Sequence, residues 1–236
     1  MLVIISDLHL GDGTTADSIS PSAFRLFARR LTETARFASL RRDGGYRPID
    51  SLDVLLLGDV LDPLHSTRWL DTSSSDTNYV RPWSDASNPN YAPKLLEVTR
   101  AILDHNEEAM QILRRLASGD VIRLAPANSK GEADFQSKEI LPIKVRFHYM
   151  VGNHDWYYHL QGEAFDNIRA EIIEKMGLCN PTSPFPYEAE ESPILKDLFE
   201  RHKVLARHGD LFDRFNFNRE KGRNYGTVGD AFTMDV

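Results

Sequence analysis

Cysteine is almost absent from the sequence, since Cys179 is the single one among 236 residues. The chain therefore has neither an internal disulfide nor a thiolate metal site, and a reducing, cytoplasmic setting fits it. It also lacks any apolar run near the about 20 residues of a membrane helix. The opening residues, MLVIISDLHL, carry no basic leader and no small-residue cleavage site. We expect a protein without a transmembrane segment.

Basic residues are in deficit as well, because 28 Lys and Arg stand against 35 Asp and Glu and give a formal net charge of -7. Proteins that gain their affinity from nucleic-acid phosphates usually carry the opposite sign, so nucleic acid is a disfavoured partner and a nuclease ranks third among the functions considered. Bound divalent cations would offset the acidic groups locally and attract an anionic substrate. The sequence sets no oligomeric state.

Short apolar runs alternate with amphipathic helical patterns along the chain. Four strands are predicted, at residues 2–5, 54–57, 143–151 and 204–206. Three helices are predicted, over residues 21–38, 95–117 and 165–176, the last two closed by Gly119 and Gly177. Alternation of this kind predicts one α/β domain over residues 1–236, with ligands bound beyond the carboxyl ends of parallel strands. Residues 63–142 form an insert with a long helix that could cover this site.

Polar clusters follow all four predicted strands. Asp7 and His9 alternate along the chain, so both side chains should project to one side and suit Mn²⁺, Fe or Zn²⁺. A hydrogen-bonded pair that caps the strand is the alternative. Gly58 lets the backbone approach a ligand, and Asp59 has two oxygens with which to join two metals, although Gly-Asp alone is more often a turn. Asp62 is expected to be an outer acceptor or a local cap rather than a ligand.

The third and fourth clusters add an amide and two imidazoles. The carbonyl oxygen of Asn153 can coordinate a metal without adding charge. His154 would then be free to act on substrate, with Asp155 accepting its other ring N–H. Taken alone, this cluster is better explained as a satisfied polar turn. In the fourth cluster, His208 supplies another imidazole and Gly209 a tight exit.

Together the motifs resemble the calcineurin-like metallophosphoesterase superfamily. They run in the order Asp7-x-His9, Gly58-Asp59, Gly152-Asn153-His154-Asp155 and His208-Gly209-Asp210, over residues 3 to about 210. The resemblance implies a double β-sandwich flanked by helices, with two divalent metal ions (Mn, Fe or Zn) at one edge. It implies that Asp7 and His9 bind the first metal, that Asp59 bridges, and that Asn153 and His208 bind the second.

The same resemblance implies a function. The chain would be a dinuclear metallophosphatase, a hydrolase of phosphomonoesters, phosphodiesters or pyrophosphates, in which a metal-bridging hydroxide attacks a small phosphate-ester substrate and His154 protonates the leaving group. The stretches SDLHL and HGD are similar to bacterial members, including UDP-diacylglucosamine pyrophosphatases, although those carry Arg where His154 stands. Five aromatic residues could frame a pocket for the substrate, but at least half of them are expected to anchor the core instead. They are Trp69, Trp83, Trp156, Tyr157 and Tyr158.

One family motif is missing. Gly-His-x-His normally gives one imidazole to each metal, yet no histidine follows His208. His65 and His159 lie near predicted strand ends and could substitute, without the expected spacing. We expect instead a longer natural chain that continues from a helix begun near Asp230 into another helix and strand with the motif. A non-catalytic binding or scaffold module on the same fold is the alternative function.

Overall fold

The computed structural model describes residues 1–15 and 18–234. The strands in these ranges form one sheet in the order β1-β2-β4-β3. Their bounds are β1 (Leu2–Ile5), β2 (Ser51–Leu57), β3 (Ile122–Leu124) and β4 (Leu141–Met150). β1, β2 and β4 run parallel, and β3 pairs antiparallel with β4. The predicted α/β class and its three central parallel strands are confirmed.

The described residues contain six α-helices: α1 (Pro21–Ala38), α2 (Tyr91–His105), α3 (Glu107–Ser118), α4 (Glu163–Met176), α5 (Pro193–His202) and α6 (Val228–Met234). α1 begins as predicted, with the Ser20 hydroxyl accepting from the Ser22 N–H and Pro21 in the first turn. α3 and α4 end as predicted at glycines in the left-handed conformation, Gly119 and Gly177.

The long helix predicted over residues 95–117 is two helices, α2 and α3, which meet at Asn106. The side-chain amide of Asn106 donates to the carbonyls of Ile102 and Gly11, both at 2.8 Å. Asparagine competes for backbone partners in this way, and the backbone of Asn106 leaves the helical region at φ -103°. Both helices pack in the layer beside the sheet, where α3 lies against β4.

The fourth predicted strand, residues 204–206, is wrong because this segment is irregular. Lys203 ends α5 in the left-handed conformation, at φ 53°. The Val204 N–H then donates to the Phe199 carbonyl and so closes the helix instead of pairing with a strand. Leu205 is 77% exposed, so the apolar run does not enter the core.

Side chains of β2 and β4 alternate between two differently covered faces of the sheet. On one face, Val145, Phe147 and Tyr149 of β4 join the main core with residues of α1 to α4. On the other, Leu55 and Met150 pack against α5. The parallel strands therefore present their carboxyl ends at one edge, between two helical layers.

The aromatic residues near the strand ends are mostly core anchors. Trp69, Trp156, Tyr157 and Tyr158 are buried, whereas Trp83 is 45% exposed. Among residues 1–15 and 18–234, no helix combines the length and the hydropathy that crossing a bilayer requires.

Candidate metal centre

Three site residues have left-handed backbones, which are uncommon outside glycine: Asp7 (φ 56°), His9 (φ 43°) and Asp59 (φ 52°). Each such residue costs about 1–3 kcal/mol, and such residues cluster at functional sites as well as in turns and at helix ends. β1 ends at Ile5, so strand alternation is the wrong reason for placing Asp7 and His9 together. Asp7 and His9 lie together because the loop beyond β1 is held against the loop beyond β2. His9 N donates to the Asp59 carbonyl at 2.9 Å, and Asp7 N donates to the Gly58 carbonyl at 3.2 Å.

The first donor set consists of Asp7, His9 and Asp59. The His9 Nε2 atom lies 4.0 Å from Asp7 Oδ1 and 3.9 Å from Asp59 Oδ2. These distances exceed a hydrogen bond. Two ligand atoms that each lie about 2.1 Å from one ion are separated by at most about 4.2 Å. The three side chains therefore have the spacing of groups that share a cation.

The second donor set consists of Asp59, Asn153 and His208. The His208 Nε2 atom lies 3.2 Å from Asp59 Oδ2 and 3.0 Å from the amide oxygen of Asn153. Its other ring nitrogen, Nδ1, is 3.1 Å from the Leu57 carbonyl oxygen and donates to it. Such a contact fixes the tautomer that leaves Nε2 for a metal.

Asp59 belongs to both sets through the same oxygen. Its Oδ2 faces the imidazoles of His9 and His208, while Oδ1 accepts from the His154 backbone N–H at 2.9 Å. Burial raises the pKa of Asp59, but the His208 hydrogen bond and the charges of His154 and His208 outweigh it and lower the pKa below its usual range. One ionised oxygen therefore lies between two donor sets.

Two glycines make room for this arrangement. A Cβ at Gly58 would lie 2.5 Å from the His208 ring. A Cβ at Gly152 would lie 2.4 Å from Asp59 Oδ1 and 2.7 Å from the His208 ring. Real Cβ atoms do not approach other atoms so closely, so both positions need glycine for Asp59 and His208 to meet.

Asp62 is a buried carboxylate that accepts from three imidazoles. Its oxygens lie 2.8 Å from His9 Nδ1, 2.6 Å from His65 Nδ1 and 3.1 Å from His154 Nδ1. It also accepts from the His65 backbone N–H and so caps a 3₁₀ turn over Pro63–His65. Burial raises the pKa of Asp62, but the hydrogen bonds from His154, His65 and His9 hold it far below its usual range. The expected local cap at Asp62 is confirmed.

The expected contact between His154 and Asp155 is wrong. Asp155 is fully buried and accepts from the Tyr149 hydroxyl at 2.6 Å, Gly152 N at 2.6 Å and Val60 N at 2.9 Å. These donors turn its carboxylate inward, away from the adjacent imidazole. Burial and the charge of Asp59 raise the pKa of Asp155. Asp62, from the loop beyond β2, orients His154 instead.

Two imidazoles of the site have strongly raised pKa values. Burial lowers the pKa of His154, but the hydrogen bond to Asp62 and its charge outweigh burial and raise the pKa to about 9. The pKa of His208 also reaches about 9, because its contact with Asp59 outweighs burial. The hydrogen bond to Asp62 raises the pKa of His9. Without a bound cation, protons on these rings neutralise the buried carboxylates.

His65 lies at the site, although it lacks the spacing of a family motif. The structure places it in a group with His9, Asp62 and His154 whose possible ligand atoms lie within 4.8 Å of one another. The signal in the sequence was Asp62 three residues earlier, which caps the turn and binds the ring. His159 lies elsewhere, with its ring nitrogens near Glu191 and Asn224.

The chemistry of the donors fits divalent cations of intermediate hardness. Both sets combine carboxylate or amide oxygens with an imidazole nitrogen, as Mn²⁺, Fe and Zn²⁺ accept. Because Gly58 and Gly152 have no side chains, Asp59 and His208 can approach each other closely. Comparison of the chain with protein-family models, curated proteins and solved structures finds no match.

Proposed function

We propose that the protein is a dinuclear metal-dependent phosphoesterase of the calcineurin-like superfamily. Its substrates would be small phosphomonoesters, phosphodiesters or pyrophosphates. The observation that carries the proposal is the position of Asp59 Oδ2 between the imidazoles of His9 and His208. The double β-sandwich of that superfamily is part of the proposal.

Asp7, His9 and Asp59 would hold one cation, and Asp59, Asn153 and His208 the other. Bound there, two divalent cations would supply Lewis acidity, a water of lowered pKa and charge neutralisation for a phosphoryl group. Asp59 is 3% exposed, so its interactions act where water screens them little.

His154 holds the proton for the leaving group. Nδ1 donates to Asp62, so Nε2 on the opposite side of the ring is the atom that can reach substrate. With a pKa of about 9, the ring is protonated at neutral pH. It would give the Nε2 proton to the departing oxygen and keep the Nδ1 proton, which is hydrogen-bonded to Asp62. General acid catalysis of this kind contributes about 10² to 10⁴ in rate.

Hydrolysis of bis-p-nitrophenyl phosphate with added Mn²⁺ tests the proposal. We expect turnover by the protein, loss of turnover in Asp59→Asn, and retention in His159→Ala, whose imidazole lies outside the site. Asp59→Asn preserves side-chain volume, and a thermal melt checks that it folds. Absence of Mn²⁺-dependent turnover, or equal turnover in Asp59→Asn, would refute the proposed function. A phosphoesterase-like fold used only for binding would then remain.

A further inference from the structure

The group around Asp62 offers metal ligands that the proposed dinuclear centre does not use. His9 is committed to the first donor set through Nε2, which leaves Asp62, His65 and His154. The rings of His65 and His154 lie side by side, with centroids 5.3 Å apart and planes inclined by 36°. Both direct Nδ1 at the same buried carboxylate, at 2.6 Å and 3.1 Å.

These three residues have the composition of a zinc site with an open position. Zinc in such sites takes three protein ligands, commonly imidazole nitrogens and a carboxylate, and leaves a fourth position to water. Tetrahedral ligands at about 2.05 Å lie about 3.3 Å apart, so each contact would lengthen by less than about 1 Å. The dinuclear sets are richer in oxygen and suit harder ions better.

The site is accessible from solvent, although its carboxylate is not. The side chain of His65 is 40% exposed and that of His154 is 14% exposed, whereas Asp62 is 1% exposed. The turn that carries His65 is fixed, because the His65 carbonyl accepts from the Thr15 hydroxyl at 2.8 Å and Asp62 caps the turn. The ligands are therefore ordered before an ion arrives.

We propose that Asp62, His65 and His154 form a third cation site that binds Zn²⁺, and that zinc bound there inhibits the phosphoesterase. Zn²⁺ takes the Nδ1 lone pair of each ring in its neutral form, so the Nδ1 proton of the His154 imidazolium passes to solvent. The only proton left on His154 is then the Nε2 proton of a neutral imidazole. A neutral imidazole does not give up that proton near neutral pH, so the acid is lost. The inhibition rests on the proposed function, whereas zinc binding does not.

Zinc binding is tested apart from activity in an Asp59→Asn background, which removes the shared ligand of both proposed dinuclear sites. We expect one tight Zn²⁺ equivalent by calorimetry, and the visible absorption of tetrahedral Co²⁺ when cobalt is used as a probe. Adding His65→Ala should weaken zinc binding by more than about 10- to 100-fold. That range is the loss expected when a residue that only hydrogen-bonds to a metal ligand is removed. Adding His159→Ala should change nothing. Equal affinity with and without His65 would overturn the site.

Inhibition is tested in the Mn²⁺-loaded protein, where Zn²⁺ is titrated against two substrates. An alkyl phosphate ester needs leaving-group protonation and should be strongly inhibited, while 2,4-dinitrophenyl phosphate, with a good leaving group, should be little affected. His65→Ala should lose at least about tenfold in sensitivity to zinc, measured relative to its own activity before zinc is added. The inhibitory role would be overturned if zinc inhibited hydrolysis of both substrates equally, or if it inhibited His65→Ala as strongly as the unchanged protein. Either result would indicate that Zn²⁺ replaces Mn²⁺ at the dinuclear centre. If zinc binds through His65 but the protein shows no Mn²⁺-dependent turnover, the proposed phosphoesterase function is refuted and the proposed zinc site is still supported.

Discussion

Nδ1 of His154 lies 3.1 Å from both carboxylate oxygens of Asp62, although 92 residues separate them in the chain. The carboxylate is almost fully buried and strongly ionised. It therefore fixes the tautomer of His154 and favours the charged ring. This pair decides which residue supplies the proton in the proposed reaction.

Replacing Asp62 by Asn should remove the acid without emptying the dinuclear site. The amide carries little charge, so the pKa of His154 should fall from about 9 towards its ordinary value of 6.5. We expect kcat for an alkyl phosphate ester to fall about 10²- to 10⁴-fold, and the alkaline limb of the pH–rate profile to move to lower pH. Bound Mn²⁺, counted in parallel, should change little. An unchanged pH–rate profile would contradict the assigned role.

Substituting Gly152 by Ala should disrupt the second donor set. The added methyl would lie 2.4 Å from Asp59 Oδ1 and 2.7 Å from the His208 ring, so one of them must move. We expect one Mn²⁺ equivalent to be lost and turnover to fall at least about 10²-fold, since a misplacement of about 1 Å costs that much. Gly11→Ala is the matched control, because a Cβ there meets nothing within 4 Å. Equal metal content in the two variants would argue against the close approach.

Asp155 should matter for stability rather than for proton transfer. In Asp155→Ala, the Gly152 N–H, the Val60 N–H and the Tyr149 hydroxyl lose a common buried acceptor. Each such loss costs about 1–3 kcal/mol, so we expect the free energy of unfolding to fall by at least about 3 kcal/mol in urea titrations. The pH–rate profile of the protein that still folds should keep its alkaline limb. A shifted limb would restore Asp155 as the partner of His154.

The stability of the metal-free protein should depend on pH at both ends. The pKa values of His154 and His208 rise from 6.5 to about 9 on folding, so their stabilisation is full below about pH 6.5 and is lost as the pH rises through about 9. Each imidazole contributes at most about 3 to 4 kcal/mol, at about 1.4 kcal/mol per pKa unit. The lowered pKa values of Asp59 and Asp62 add stability above about pH 4 that is lost on acidification. Urea midpoints measured in chelator at several pH values check both limbs, and a flat alkaline limb would contradict the pairing.

The sequence predicted the parts of the site that depend on local pattern. Apolar runs and glycines place Gly58 and Gly152 at strand ends, and parallel strands bring their carboxyl ends together. Asp59 and Asn153 therefore meet as expected. His208 joins them without the predicted strand before it, because its loop is held by the contact of its ring with the Leu57 carbonyl.

What the sequence missed depends on where side chains turn. Asp155 is the neighbour of His154 in the chain, but buried N–H and O–H groups take its oxygens. Asp62 was predicted to be a local cap and is one, but it also accepts hydrogen bonds from the imidazoles of His9 and His154, which lie 53 and 92 residues away in the chain. Such convergence follows from the packing of separate loops, which no short spacing encodes.

Whether Asp59 joins two cations is tested by the number of Mn²⁺ ions bound by the protein and by two variants, together with their electron paramagnetic resonance spectra. Since Asp59 Oδ2 lies between both donor sets, we predict two bound ions with a spin-coupled spectrum in the protein. Asp59→Asn should lose both ions, and His208→Ala should lose one together with the coupling. Retention of one tightly bound ion in Asp59→Asn, or uncoupled ions in the protein, would contradict a shared carboxylate.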